Sequence, residues 1–356
     1  MKISSIYNGR LYTMPIPSQP SNVELEFIKR IIGKSNVDVD ISNLDMVECS
    51  EDYDMYRIHT KQKILSLKFS YDYENKYLLK EIQNVKKIKT EITPVYLDSG
   101  VIEVGDKILY LLCEFHNGEP IMDVGRSYLS TEFDLFLESY KKIHGQKAGR
   151  LTYKGLNNQI VKDFNLRGIF NNEHIQAIDN SSDFLKIEGL VLEIKKEINS
   201  LKSKLPDVTT GLVLGGATPT NIFVCSRGIQ FDDLRSLCKG HVFSDIASIV
   251  LSFGLGPLIE IDMVKRACSS IGINYDKSLY DLFYAVELRK KCLSYLFRYL
   301  KEVYLYESQR VYEIVKIIDE FSLSYDRMCK IPVFKENREF IRKNITEPVL
   351  EDGPNS

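Results

Sequence analysis

The strongest constraint on this chain is a change of hydrophobic period near its first third. From Met46 to Phe115 the pattern is that of strands. Tyr53 to Thr60 is rich in aromatic and β-branched residues. Ile64 to Phe69 follows after the polar Lys61-Gln62-Lys63, and the two read as a hairpin. Val101 to Val104 and Ile108 to Phe115, parted by Gly105-Asp106, read as two more strands. Past Asn117-Gly118-Glu119-Pro120 the apolar residues recur at helical spacing, over Phe133–His144, Asp183–Leu205, Ser244–Phe253, Ile261–Ser270, Leu279–Tyr304 and Ser308–Leu323. Two shorter helices are expected in the front part, over Val23–Ile32 and Asn75–Ile88. Strands first and helices after them give an α+β chain. At 356 residues it is long enough for two lobes. The expected layout is a small antiparallel-sheet lobe over 1–116, a larger, mostly helical lobe over 117–346, and a frayed acidic tail over 347–356.

Composition narrows the function. A net charge of −2 gives no bulk electrostatic reason to expect nucleic acid as a partner. The 7 Cys and 5 His form no C-x-x-C pair and no zinc-like spacing, so a structural metal is not expected and the thiols read as reduced. Met1-Lys2-Ile3-Ser4-Ser5 lacks an apolar signal core. The most apolar stretch, Ile246 to Ile259, is broken by Gly254, Gly256 and Pro257. No membrane span and a cytoplasmic location are the expectations.

The segment with the most chemistry runs from Leu212 to Asp245. It reads Leu212-Val213-Leu214-Gly215-Gly216-Ala217-Thr218-Pro219-Thr220-Asn221-Ile222-Phe223-Val224. Gly228-Ile229-Gln230-Phe231-Asp232-Asp233 and then Phe243-Ser244-Asp245-Ile246-Ala247 come after it. An Asn at a loop-to-strand junction and an Asp after the next strand can converge on one hard cation, and magnesium takes such oxygen donors. As isolated residues they would be a turn Asn after Pro219 and a strand-ending acid. Upstream, Lys68 lies in the apolar run Ile64–Phe69, where a lysine is costly unless paired. Glu81 is on the helix that follows. The plain alternative is an edge-strand lysine facing water and a solvated glutamate.

These residues together resemble the aminoglycoside phosphotransferase and choline-kinase family, which has the protein-kinase-like fold. Its pattern is an apolar strand into H-G-D-x-x-x-x-N-I-hydrophobic-V, then G-x-x-h-I-D, then an aromatic-x-D-hydrophobic-A helix start. Gly215, Pro219, Asn221, Ile222, Val224, Asp232 and Asp245 fit it, while Leu214 stands at the His position and Gly216 at the catalytic Asp. The resemblance implies a transferase that binds Mg2+ and ATP between two lobes and phosphorylates a hydroxyl of a small molecule. Lys68 and Glu81 would hold the phosphates, Asn221 and Asp232 the metal, and Asp245 the catalytic loop. Leu112-Cys113-Glu114-Phe115 would be the lobe connector, with Glu114 and Phe115 beside the adenine, and Ile143-His144 resembles the family's leucine-histidine helix end. Gly216 has no side chain to receive the acceptor's proton. Thr218, Asp233 or His241 are the nearby alternatives. The segment Cys49–Asp54, where a glycine-rich phosphate cover belongs, is acidic and glycine-free. Two readings stay open: a phosphotransferase with impaired or altered catalysis, or a pseudokinase that binds or scaffolds a protein or peptide partner.

Overall fold

A computed structural model describes residues 3–7, 10–14, 22–34, 44–49, 53–59, 63–88, 91–115, 118–121, 129–145, 182–206, 210–215, 221–225, 228–253 and 257–300. The chain divides into two compact units. One comprises Met1–Arg150 with Leu212–Cys238, and the other Leu151–Gly211 with Lys239–Ser356.

In the first unit, β1 (Ile3–Tyr7) and β2 (Arg10–Met14) form an antiparallel hairpin, and α1 (Asn22–Lys34) follows. Next come β3 (Leu44–Cys49), β4 (Asp54–His59), β5 (Ile64–Ser70), α2 (Lys76–Lys87), β6 (Val95–Val104) and β7 (Asp106–Phe115). These strands make one antiparallel sheet in the order β3-β4-β5-β7-β6. The period-2 pattern decides which side chains meet. Leu65, Leu67 and Phe69 of β5 join Tyr56, Ile58, Ile108, Tyr110 and Leu112 on one face. Phe27, Ile28, Ile31 and Ile32 of α1 cover that face and are 0–4% exposed. Burying each such side chain contributes roughly 1.5–3 kcal/mol. A helix of 13 residues is marginal alone, so this packing rather than intrinsic propensity holds α1.

The opposite face carries Ser66 and Lys68, and α2 lies on that side, with Leu78, Glu81, Ile82 and Val85 buried. Asn75 caps α2, its side chain accepting from Tyr77 N at 3.0 Å and Leu78 N at 2.9 Å. Such a cap stabilises by about 1 kcal/mol.

The strand expected to start at Val101 starts six residues earlier. Asp98-Ser99-Gly100 looks like a turn in sequence, but a bulge between Tyr96 and Asp98 absorbs it, and the Asp98 carboxylate accepts from the Tyr110 hydroxyl at 2.7 Å.

Short β8 (Gly118–Pro120) leads to α3 (Leu129–His144). The motif region supplies β9 (Gly211–Val213), β10 (Ile222–Cys225) and β11 (Gly228–Phe231), then a 3-10 turn at Leu234–Ser236 and β12 (Cys238–Gly240). β10 pairs with β11 and β8. Phe231 N donates to Ile92 O at 2.8 Å, and Asn84 Nδ2 donates to Leu234 O at 2.7 Å. The motif strands are thereby tied to α2 and to the segment that leaves it.

The described helices of the second unit are α4 (Ser182–Lys202), α5 (Val242–Phe253), α6 (Pro257–Ile271) and α7 (Lys277–Leu300). α7 packs against α4 and α5. Arg289, 4% exposed, bonds Glu197 at 3.0 Å and Ala285 O at 2.8 Å. The expected Ser308–Leu323 helix and the tail over 347–356 lie outside the described residues, as does most of the polar stretch 145–172. No described helix is long and apolar enough to cross a membrane. The fold class is α+β, as the change of period indicates.

Candidate active site

Lys68 lies on β5, the middle strand of five, and is 3% exposed. The edge-strand alternative is therefore ruled out. Its register partners are Met55 and Leu111. A buried ammonium needs close acceptors, and two are present. Lys68 Nζ donates to Glu81 Oε1 at 2.8 Å and to Asp232 Oδ1 at 3.0 Å. The three residues come from a strand, the helix after it and a position 164 residues along the chain. A small pocket is lined by Ser66, Lys68, Glu81, Val85, Pro94, Leu111, Cys113, Asp232 and Leu234.

Burial opposes charge on all three groups. For Lys68 it would lower the pKa, but the Asp232 and Glu81 carboxylates outweigh it and hold the ammonium well above its ordinary value. For Asp232 burial would raise the pKa, but Lys68, through its charge and its hydrogen bond, holds the carboxyl below its usual range. Glu81 goes the other way. Burial raises its pKa, Lys68 offsets only part of that, and Asp233 and Asp232 add repulsion, so it stands at about 7. One ammonium cannot satisfy two buried acids equally. Glu81 Oε2, buried and without a hydrogen-bond partner, is where the deficit falls.

Asn221 and Asp232 meet at the other end of the group. Asp232 N donates to Asn221 O at 2.9 Å, and Asn221 Nδ2 donates to Asp233 Oδ2 at 3.3 Å. Leu214, Asn221, Ile222, Phe231, Asp232, Asp233 and Ser236 line a second pocket. Two carboxylates and a carboxamide beside one opening are hard oxygen donors. Magnesium needs only one or two of these from a protein, and the residues fit such an ion. Both described bonds to Asp232 engage Oδ1, from Lys68 and from Asp233 N at 2.8 Å.

Gly215 is required by the backbone. Its φ is +72°, and a Cβ there would lie 2.4 Å from Ser236 O. Gly216, Thr218 and Pro219 lie outside the described residues, so the catalytic-base position is known from sequence alone. Of the alternative bases, Asp233 is taken up locally, accepting from Arg235 Nε at 2.9 Å and from Asn221. His241 caps α5, with Nδ1 accepting from Phe243 N at 3.2 Å and the ring 4.7 Å from that of Phe283. Because the helix starts at Val242, His241 holds the cap position, and Ser244 Oγ donates to Glu287 at 3.0 Å. Asp245, in the first turn of α5, is fully buried.

Glu114 and Phe115 are still paired in β7, opposite Leu65 and Ile64. The Glu114 carboxylate is bonded to Lys63 at 2.7 Å. His144 ends α3, with Nδ1 3.3 Å from Leu212 O, and burial lowers its pKa.

Three residues beside this group carry no family signature and went unread in the sequence. The Tyr53 ring lies 5.4 Å from Lys68 Nζ and 5.7 Å from Arg235 Cζ. Arg235 also lies over Tyr77 at 6.0 Å. Arg57, paired in register with Ser66, lies 5.7 Å over the Phe223 ring and contributes to the low pKa of Asp232. A charged residue in the first turn past the Asp-Asp pair was the available clue to Arg235.

No protein-family model matches this sequence, and no curated protein matches it. Solved structures do. A thermostable mutant of the aminoglycoside phosphotransferase APH(4)-Ia aligns at a TM-score of 0.57 and 12% identity, over 92% of this chain and 99% of its own. The amicoumacin kinase hAmiN, solved with AMP-PNP, Ca2+ and Ami, aligns at 0.57 and 12%, over 85% and 93%. Choline kinase LicA from Streptococcus pneumoniae aligns at 0.53 and 14%, over 86% and 97%. At these identities the likeness is one of fold. The chain has the kinase-like fold shared by aminoglycoside phosphotransferases and choline kinase, over nearly all of its length.

Proposed function

We propose that this protein binds ATP with a divalent cation and transfers the γ-phosphoryl group to a hydroxyl of a small molecule, by a route that lacks the usual carboxylate base. The observation that carries the proposal is the buried Lys68–Glu81–Asp232 group, with bonds of 2.8 and 3.0 Å. A fold that needed only stability gains little from such a group, since a buried ion set is often no better than apolar packing. A nucleotide site needs a fixed cation for phosphate and an acid beside it for a metal.

In this reading Lys68 donates to phosphate oxygens. Glu81 would keep the ammonium in place while Asp232 serves the metal. Asn221 and Asp232 would hold the cation, with Asp233 next to it. Bound Mg-ATP would supply the phosphoryl group, and its cation would neutralise the charge that develops during transfer. The acceptor's proton finds no side chain at Gly216. A positioned general base contributes about 10²–10⁴-fold, so the transfer is slow for its fold. The amicoumacin kinase is described with AMP-PNP, Ca2+ and Ami, which favours a small acceptor over a protein or peptide partner.

The second reading, nucleotide binding without transfer, is favoured specifically by Gly216. Incubating the protein with Mg-ATP and a panel of hydroxyl-bearing small molecules, with ADP as readout, separates the two. Acceptor-dependent ADP release supports the transferase. Saturable ATP binding with no release above background for any acceptor supports the second reading.

A further inference from the structure

The pocket at Asn221 and Asp232 offers two further oxygen-bearing side chains, Asp233 and Ser236. They differ in what already holds them. Both carboxylate oxygens of Asp233 are engaged. Oδ1 accepts from Arg235 N at 3.4 Å, and Oδ2 accepts from Arg235 Nε at 2.9 Å and from Asn221 Nδ2 at 3.3 Å. Ser236 is half-buried, and among the described residues no protein group bonds its hydroxyl.

The frame around Ser236 is fixed on three sides. It ends the 3-10 turn Leu234–Ser236, and Leu234 and Leu237 beside it are each 1% exposed. Leu237 N donates to Leu234 O at 3.1 Å, which closes the turn. The buried Asn84 of α2 donates to Leu234 O at 2.7 Å and to Leu237 O at 3.4 Å, and so grips the turn before and after Ser236. Gly215 packs against it from the motif strand. A Cβ on Gly215 would lie 2.4 Å from Ser236 O and 3.3 Å from Ser236 Cβ. The glycine is thus what lets the turn come this close. Groups that bind a ligand well are those whose supporting contacts fix them beforehand. Ser236 is held in this way by its backbone, while its hydroxyl is left without a protein partner.

We infer that Ser236, rather than Asp233, supplies the third protein oxygen to the divalent cation of Asn221 and Asp232. A hydroxyl is a hard oxygen donor of the kind that magnesium and manganese take. Asp233 keeps its bonds to Arg235 and Asn221 and serves to hold the turn. Ser236 is therefore a cation-binding residue outside the Asn and Asp of the family pattern. This inference rests on the cation-site reading above.

The test uses the full chain and two metal probes, Mn2+ and Cd2+. Each is titrated calorimetrically into wild type, Ser236→Ala, Ser236→Cys and Asp232→Ala. For Ser236→Ala we expect Mn2+ to bind about tenfold weaker, the lower end of what losing a supporting group costs a metal site. Cysteine replaces the hard oxygen by a soft sulfur, which favours a soft ion. Ser236→Cys is therefore expected to bind Mn2+ about tenfold weaker and Cd2+ about tenfold tighter than wild type. The seven native thiols are common to all four proteins and cancel in the comparison. A serine that served only the fold would give no such exchange of preference. Melting temperatures without metal report folding, and if Ser236→Ala does not fold, the Cd2+ to Mn2+ ratio of Ser236→Cys decides. Unchanged Mn2+ affinity in Ser236→Ala, or no gain for Cd2+ in Ser236→Cys, overturns the role of Ser236, while loss of Mn2+ binding in Asp232→Ala keeps the cation site standing. If wild type does not bind Mn2+, or Asp232→Ala binds it equally well, the cation site and the role of Ser236 fall together.

Discussion

Replacing Lys68 by Met tests the energetics of the buried group most sharply. The ammonium is within 3.0 Å of both Glu81 and Asp232, whose side chains are 3% and 12% exposed. Removing it leaves two buried carboxylates without their cation, a change that costs about 3–5 kcal/mol in comparable buried pairs. The pH dependence of that loss is specific to this site. In the wild type Glu81 binds its proton up to about pH 7. Without Lys68 the chief influence that lowers this pKa is gone, so the variant keeps the proton at higher pH. Between the unfolded value of 4.5 and about 7 the folded forms of both proteins carry the proton and lose stability in parallel as pH rises. Above about 7 the wild type releases it and levels off, while the variant continues to lose about 1.4 kcal/mol per pH unit. Urea denaturation followed by tyrosine fluorescence, in a chain with 21 Tyr and no Trp, measures both. The expected deficit at pH 8 exceeds that at pH 6 by about 1.4 kcal/mol. The double variant Lys68→Met with Glu81→Gln removes the pH-dependent part. Equal deficits at the two pH values would refute the reasoning.

Other consequences follow from individual residues. Glu81→Gln in the wild-type background flattens the fall in stability between about pH 4.5 and 7, because the raised folded-state pKa is what makes the folded form bind the extra proton; denaturation midpoints at pH 5 and 7.5 that stay as far apart as in wild type would contradict this. Gly215→Ala, at φ +72° and 2.4 Å from Ser236 O, costs roughly 1–3 kcal/mol and is read from the melting temperature. Gly216→Asp places a carboxylate where the family pattern has one and raises acceptor-dependent ADP release by about 10²–10⁴-fold, with an unchanged rate as the contrary result.

The sequence shows the two structural regimes and the motif strands, because hydrophobic period reports directly on which faces are buried. The hairpin of β4 and β5 and the α2 helix follow from local pattern, and the Lys68–Glu81 pairing from the resemblance. The early start of β6 does not, since Asp98-Ser99-Gly100 carries turn residues and it is the pairing with β7, joined by the Asp98–Tyr110 bond, that keeps it extended. The cap of α5 is not legible either, since histidine is not a usual cap residue and only the contact from Phe243 N to its Nδ1 shows the role. Arg235, Tyr53 and Arg57 stay hidden because their importance comes from contacts across the sheet and from a turn 150 or more residues away. The resemblance identifies residues that match the family pattern, and these three match none.

The central claim is that Lys68, Asn221 and Asp232 form a working nucleotide and cation site. The most direct measurement is a thermal-shift titration with ATP, with and without Mg2+, on wild type and on Asp232→Ala. The account predicts a Mg2+-dependent rise in melting temperature for wild type that is absent in the variant. No rise for wild type at millimolar ATP, or an equal rise in both proteins, would contradict it.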